Sequence, residues 1–274
     1  MILTPFSDLS PVPRVNIRLD DLDPSAAFVS VFAVVGDATR IVRGGYQLPV
    51  ASLVILDDFL APFNTPILYR AELLDEAGGT VGVVEATSPP VMFYGTVLQQ
   101  LIDPWRSASA RLLATSESDL VWQHDGGLER PSGAARPTWV GAGRWPLQGI
   151  PVKLGTDTAE QEAAMRRVLG LDHDRDHLPV YALRTSHRVR FPQPLVAVIP
   201  EPRAQGLDWL AGGYLTHWHL KASEVQPPAA SLVRSAVTWD DVAATFLTWS
   251  EVIADYSTWG ELMADYGLSG SSNA

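Results

Sequence analysis

Proline and glycine interrupt this chain at short intervals along its whole length. The sequence contains 21 Pro and 21 Gly, and the apolar runs between them are short and rich in β-branched residues. Such frequent turn residues favour many short strands joined by turns over long helices. The sequence therefore predicts a mainly β protein.

Composition excludes several classes of function. The formal net charge of −11 argues against nucleic acid as a partner, because phosphate binding needs a basic face. The absence of cysteine rules out disulfides, thiol catalysis and thiolate metal sites. No run approaches the roughly 18 apolar residues of a membrane span, and the N-terminus lacks a signal-peptide pattern. We expect synthesis in a reducing cytosol.

Residues 1–90 are predicted to form a β-sandwich, since short apolar or alternating runs recur there at regular spacing. The predicted strands are 15–19, 28–35, 51–56, 65–73 and 81–85. Pro89 and Pro90 are a plausible boundary, because paired prolines stop strand pairing.

Residues 91–228 are predicted to form a second β-rich domain with one short helix at 158–169. Thr158 and Gln161 have capping-box spacing, and Gly170 ends the helical pattern. The predicted strands here are 91–98, 111–114, 120–123, 152–154, 180–183, 188–191, 195–199 and 214–221. The glycines at 126, 127, 141 and 143 are interpreted as turn residues.

After Pro227 and Pro228, the segment 229–274 contains three copies of a ten-residue repeat, at 238–247, 248–257 and 258–267. Each copy begins with Thr-Trp and has an acidic fourth residue, Val or Leu fifth, Ala seventh and Phe or Tyr ninth. The predicted helix caps are Thr238, Thr248, Thr258, Glu251 and Glu261. The second, fifth and ninth residues share one helix face and form a predicted docking surface: Trp239, Val242, Phe246, Trp249, Val252, Tyr256, Trp259, Leu262 and Tyr266.

Helices of about eight residues are unstable alone in water. The repeats should therefore order only against a surface, which is either a partner or the protein's own body. Six acidic residues against Arg234 alone favour a neutral or basic surface.

No catalytic residue, metal site or cofactor is expected, so the chain is not interpreted as an enzyme. It has neither a nucleophile elbow nor a phosphate-binding loop. The Asp- and His-rich segment 172–177 is interpreted as a solvated loop. His217 and His219 share a strand face and are interpreted as lying on a solvent face, since no third ligand lies nearby. Trp105, Trp122, Trp139 and Trp145 could form a sugar-stacking platform, although core or interface packing is favoured.

The first ninety residues resemble a fibronectin type III module. The strand 15–19, the strand 29–35 and the segment 66–71 before a glycine turn carry this resemblance, with Tyr69 as a late-strand tyrosine.

The whole chain resembles minor tail proteins of long-tailed phages that infect actinobacteria. The resemblance rests on the sandwich start, the segment 101–104, the helix 158–169, the segments 180–190 and 218–228, and the Thr-Trp repeats. It implies a structural virion protein at the tail tip, made in the host cytoplasm, assembled symmetrically with other tail-tip proteins and lacking catalytic residues. The alternative is a carbohydrate-binding module that recognises host cell-wall glycan.

Overall fold

The computed structural model describes residues 1–9, 11–50, 52–122, 124–132, 135–144, 146–171, 177–208, 213–231, 239–256 and 262. The strands in these residues are β1 (Ile2–Phe6), β2 (Arg14–Asp20), β3 (Phe28–Val35), β4 (Ala38–Ile41), β5 (Leu48–Pro49), β6 (Leu53–Asp58), β7 (Ile67–Leu74), β8 (Thr80–Ser88), β9 (Thr96–Gln100), β10 (Ser107–Leu112), β11 (His124–Glu129), β12 (Thr138–Arg144), β13 (Ile150–Thr156), β14 (Val180–Thr185), β15 (Leu195–Val198), β16 (Arg203–Gly206) and β17 (Thr216–Glu224). The helices are α1 (Ala159–Val168), α2 (Trp239–Thr245) and α3 (Trp249–Asp255). Strands dominate, which confirms the prediction of a mainly β protein.

Two antiparallel sheets face each other in the N-terminal region. One has the order β1-β2-β6, and the other has the order β4-β3-β7-β8, with β5 also paired to β3. Residues along β7 alternate between buried and more exposed, because successive side chains of a strand point to opposite faces. Its inward residues Ile67, Tyr69 and Ala71 share one buried cluster with Val15 and Ile17 of β2. This shared core makes the region a β-sandwich.

Six strands of the second region close into a ring. Their order is β13-β10-β9-β14-β15-β17, and β17 pairs back to β13. β16 pairs with the part of β17 that β15 leaves open. The inside holds a buried cluster that includes Leu98, Leu154, Tyr181, Leu195 and Trp218. The region is therefore a filled antiparallel barrel.

The helix α1 packs on strands β9 and β10 of this barrel. Its N-cap is Thr158, whose Oγ1 accepts a hydrogen bond from the Gln161 N–H at 3.2 Å. The helix ends before Gly170, whose φ of +65° is a left-handed conformation that glycine adopts without strain. Met165 and Val168 lie on the buried face of α1 and join the barrel core.

The sandwich and the barrel meet at Arg184 of β14, a strand that is buried along its whole length. Arg184 is only 1% exposed. Its Nη1 donates to the carbonyl oxygens of Pro13 at 2.8 Å and Ala61 at 2.9 Å, and its Nη2 donates to Gln99 Oε1 at 2.8 Å. The guanidinium also lies 4.8 Å from the centre of the Phe63 ring. One side chain of the barrel thus binds two loops of the sandwich.

A buried carboxylate accompanies this arginine. Asp58 forms an ion pair with Arg40 and accepts hydrogen bonds from the Tyr69 hydroxyl at 2.7 Å and the Leu60 N–H at 3.0 Å. Burial opposes its charge, but Arg40 and these hydrogen bonds outweigh burial and hold the pKa of Asp58 below its usual value. Burial lowers the pKa of Arg184 to about 9, and the Asp58 charge opposes that shift. Both groups are therefore charged at neutral pH.

The segment after Pro89 and Pro90 remains attached to the sandwich. Asn64 donates from its side chain to the Phe93 carbonyl at 2.9 Å and accepts from the Phe93 N–H at 3.1 Å. The Asn64 N–H also donates to the Val91 carbonyl at 2.9 Å. The barrel strands begin only at β9, and a domain division near residue 90 stays a prediction.

Several strand predictions were wrong. Residues 188–191 alternate in polarity but lie outside the strands, because the Arg190 N–H donates to the Glu117 carboxylate at 2.7 Å instead of joining a sheet ladder. Residues 120–122 also lie outside the strands, and β11 begins at His124. The strand β1 was not predicted; it contains Pro5, which an edge strand tolerates. Among the described residues, no helix is long and apolar enough to cross a membrane.

Candidate functional site at the C-terminal repeats

The first two predicted repeats each form one short helix, and α2 and α3 begin ten residues apart. At the start of α3, the Glu251 carboxylate accepts hydrogen bonds from the N–H groups of Leu247 at 2.8 Å and Thr248 at 3.2 Å. A capping glutamate satisfies main-chain donors at a helix start in this way. Of the third repeat, the structure describes Leu262 alone. The predicted cap and docking residues outside the described residues are Thr238, Thr258, Glu261, Trp259 and Tyr266.

The repeats pack against one another through their fifth and ninth residues. Val242, Val252 and Leu262, the three fifth residues, are buried in one cluster. Phe246 and Tyr256, two of the ninth residues, pack against it, with ring centres 6.0 Å apart and an interplanar angle of 85°. Aromatic pairs favour this edge-to-face geometry. Five predicted docking residues therefore contact one another and hold the repeats together.

Trp249, the second residue of the second repeat, lies beside this cluster but remains 54% exposed. Leu247 and Ile253 next to it are 92% and 72% exposed. Trp249 and Leu247 line an open groove of about 220 Å³ together with residues of the cluster. Large apolar side chains that stay exposed often mark interaction sites. The side chain of Trp239, the equivalent residue of α2, lies outside the described residues.

The segment that leads to the repeats is bound to the sandwich. Arg43 donates from Nη1 to the Pro228 carbonyl at 3.1 Å and from Nη2 to the Ala229 carbonyl at 3.2 Å. The Gly44 N–H donates to the Ala230 carbonyl at 2.8 Å. Burial lowers the pKa of Arg43. Residues 228–230 thus belong to the body, and the repeats follow after them.

A second exposed element is the hairpin of β11 and β12, which pairs with none of the other described strands. Leu128, Trp139 and Val140 are 69%, 50% and 51% exposed. A side-chain carbon at Gly126 would come within 2.8 Å of the Trp139 indole, so this glycine lets the indole approach the paired strand closely. An isolated two-stranded hairpin is only marginally stable in water. This hairpin is therefore a second candidate contact surface.

The four tryptophans that were considered for sugar stacking have different surroundings. Trp122 and Trp139 are exposed, at 46% and 50%. Trp105 is half-buried, and Trp145 lies outside the described residues. Two of these rings are therefore available to a ligand, which keeps a glycan site as an alternative.

Among the described residues, no group of three ligand-type residues could hold a metal ion. Residues 172–176 lie outside the described residues. His177 contacts the Tyr181 hydroxyl through Nε2 at 2.6 Å, and burial lowers the pKa of His177. His217 and His219 lie half-buried on the outer face of β17, opposite the barrel core.

Sequence reasoning missed the hairpin because its glycines were interpreted as turn residues, whereas all four lie within β11 and β12. The missed signal was the alternation of Trp139 with Gly141 and Gly143. Sequence reasoning also missed a basic cleft on the barrel, because the residues that line it are far apart in sequence.

No protein-family model, curated protein or solved structure matches this chain.

Proposed function

We propose that this protein is a structural, non-catalytic component of a phage tail tip, which assembles with other tail-tip proteins through its C-terminal repeats. The observation that carries the proposal is the exposure of Trp249, Leu247 and Ile253 on an element whose own core is filled by other residues. Tryptophan is enriched among the residues that dominate binding energy at interfaces.

The order of regions supports the same proposal. A sandwich of two antiparallel sheets fits a fibronectin type III-like module at 1–90. The barrel fits a second domain at 91–228, and the repeats form a docking tail at 229–274. This is the order in which the resemblance to minor tail proteins arranges them.

Docking through repeats suits a symmetric assembly. Trp239, Trp249 and Trp259 are equivalent residues of the three copies, so each can bind one of several identical sites on a ring. The remaining repeat residues hold the helices in place. Tethering several weak contacts can raise the overall affinity by about 10² or more over a single contact. The six acidic residues of the tail favour a neutral or basic partner.

Virions assembled with the wild-type protein or with Trp249→Ala would test this proposal. An antibody against the barrel would locate the protein in these virions by electron microscopy. We expect label at one end of the wild-type tail and reduced incorporation of Trp249→Ala. The matched control is Asp255→Asn on the same helix, which is exposed and should be incorporated normally. Absence of label from intact virions, or equal incorporation of both variants, would contradict the proposal.

Glycan binding is a second candidate, favoured by the exposed rings of Trp122 and Trp139. Sugar rings stack on such indoles, which have one apolar face available. Sedimentation of the protein with purified cell-wall sacculi would test it. Binding that is lost in Trp139→Ala and kept in Trp249→Ala would support the glycan function, whereas no binding of the wild type would exclude it.

A further inference from the structure

The chain contains two lysines, Lys153 on β13 and Lys221 on β17, and both line one cleft on the barrel. The cleft has a volume of about 470 Å³. Arg203 of β16 and His219 of β17 line it as well. Three cationic side chains and one imidazole, from three strands, therefore line one concave surface, together with Glu201 and Gln205.

The strand register explains why these residues meet. His219 pairs with Lys153 on one side and with Arg203 on the other, so the three form a single row across three strands. Side chains of directly paired residues lie about 4.5–5.5 Å apart at Cβ. Lys221 follows His219 by two residues and lies on the same face of β17. The cluster thus depends on barrel closure, since β13 and β17 meet only where the ring closes.

The charge of this cleft opposes that of the whole chain. The protein has a net charge of −11, and like charges on paired strands destabilise a sheet. Among the described residues, neither lysine has an ion-pair partner. Arg203 contacts Glu201 at 3.7 Å, but their side chains are 73% and 77% exposed, and pairs this exposed contribute little. The positive charges therefore remain largely uncompensated, and a bound anion would stabilise them.

We propose that this cleft is a binding site for a phosphate group. A phosphate carries a charge of about −1.5 to −2 at neutral pH and offers three acceptor oxygens, so it can bind two lysines and an arginine at once. A single carboxylate offers two oxygens and one charge. Arg203 supplies the planar fork that binds phosphate with two hydrogen bonds, and the lysines act as point charges. Bound phosphate would compete with Glu201 for Arg203. This site is independent of the docking tail.

The two lysines allow a direct test. Full-length protein labelled with 15N at lysine gives two assignable amide signals, which report on β13 and β17 of the cleft. Titration with inorganic phosphate should shift both signals saturably, and sodium chloride at equal ionic strength should not. Shifts that match in phosphate and chloride would reflect screening alone and overturn the proposal.

Single substitutions of the lysines refine the test, because the remaining lysine still reports binding. Lys153→Gln read at Lys221, and Lys221→Gln read at Lys153, should each weaken phosphate binding by at least about tenfold, as expected for loss of a charged hydrogen bond. Arg18→Gln removes an exposed positive charge from the sandwich and should leave the affinity unchanged. Equal weakening by Arg18→Gln would show a net-charge effect and overturn the site.

A variant that is expected to bind phosphate more tightly tests the site without changing either lysine. Glu201→Gln should tighten phosphate binding about two- to fivefold, since it removes the acidic competitor for Arg203. Its control, Glu85→Gln, removes an exposed acid paired with Arg70 on the sandwich and should have no effect. Unchanged affinity in Glu201→Gln would contradict the assigned role of Arg203.

Two further probes identify the source of the phosphate. Tighter binding of phenyl phosphate than of dimethyl phosphate would assign the site to a phosphomonoester, and the reverse order would assign it to a phosphodiester of a polymer. Either order supports a phosphate site. Acetate binding that is tighter than both would overturn it in favour of a carboxylate ligand.

Discussion

The barrel and the C-terminal repeats are stabilised in opposite ways. The barrel ring closes through the pairing of residues 150–156 with residues 216–222, and its core draws on strands from the whole second region. The helices α2 and α3 each span seven residues, and one buried residue from each repeat makes the common core. Long-range pairing produces a rigid scaffold, whereas local helices with a small core can open at low free energy.

The same contrast separates structural from exposed residues. Arg184 and Asp58 are buried where the barrel meets the sandwich, so the two regions should unfold together. Trp249 and Ile253 remain exposed on the repeats, where a partner can reach them. Elements that bind are commonly drawn from the less stable parts of a protein.

The largest effect is expected from Arg184→Met, which should lower the free energy of unfolding by about 3–5 kcal/mol, because Gln99 Oε1 loses its charged donor and each buried acceptor left unsatisfied costs about 1–3 kcal/mol. The carbonyls of Pro13 and Ala61 would also lose their donor. Urea unfolding followed by circular dichroism measures this change. The control Arg18→Met, at an exposed site, should stay within about 0.5 kcal/mol, and an equal loss in both variants would contradict the role of Arg184.

Truncating a side chain in the barrel core and truncating one in the core of the repeats should have different effects on stability. Leu154→Ala in the barrel should lower the free energy of unfolding by about 2–5 kcal/mol, through lost burial and the cavity left behind. Val252→Ala, in the core of the repeats, should leave the free energy of unfolding of the body unchanged. It should instead speed amide hydrogen exchange in residues 239–256. Loss of body stability in Val252→Ala would mean that the repeats are part of the body core.

Acid should weaken the body through Asp58. Because the pKa of Asp58 is lowered in the folded state from 3.8, its stabilising effect is fully present above that pH and is lost as the pH falls below it. The loss amounts to at most about 1.4 kcal/mol per pH unit for one proton. The difference in unfolding free energy between the wild type and Asp58→Asn should therefore narrow between pH 5 and pH 2. A constant difference over this range would show that Asp58 does not titrate as inferred.

The smallest effect is expected from deletion of residues 232–274, which should change the unfolding free energy of the body by less than about 0.5 kcal/mol. A longer deletion from residue 227 also removes the carbonyls that bind Arg43 and Gly44. That variant should lose about 1.5–4.5 kcal/mol more, since three hydrogen bonds are removed and each contributes about 0.5–1.5 kcal/mol. Differential scanning calorimetry compares the two, and equal transitions would show that these contacts contribute nothing.

Prediction succeeded where the signal was local. The strand Phe28–Val35 has the bounds expected from its apolar run, and Thr158 caps α1 as its spacing with Gln161 indicated. Prediction failed where a residue departs from the secondary structure that its type usually favours. The glycines of β11 and β12 lie in strands rather than turns, and Gly126 lies so close to the Trp139 indole that a Cβ there would come within 2.8 Å of it; no local propensity indicates that contact.

Sequence alone established the mainly β class, the capped helix α1 and the ten-residue period of the tail, because turn chemistry, capping and repetition act over a few neighbouring residues. Only the tertiary structure decided that β17 closes the ring on β13, and that Arg184 is buried beneath the sandwich. It also decided that Lys153 and Lys221 line one cleft. These arrangements join residues that are far apart in the chain, and they exist only once distant strands have paired in one register.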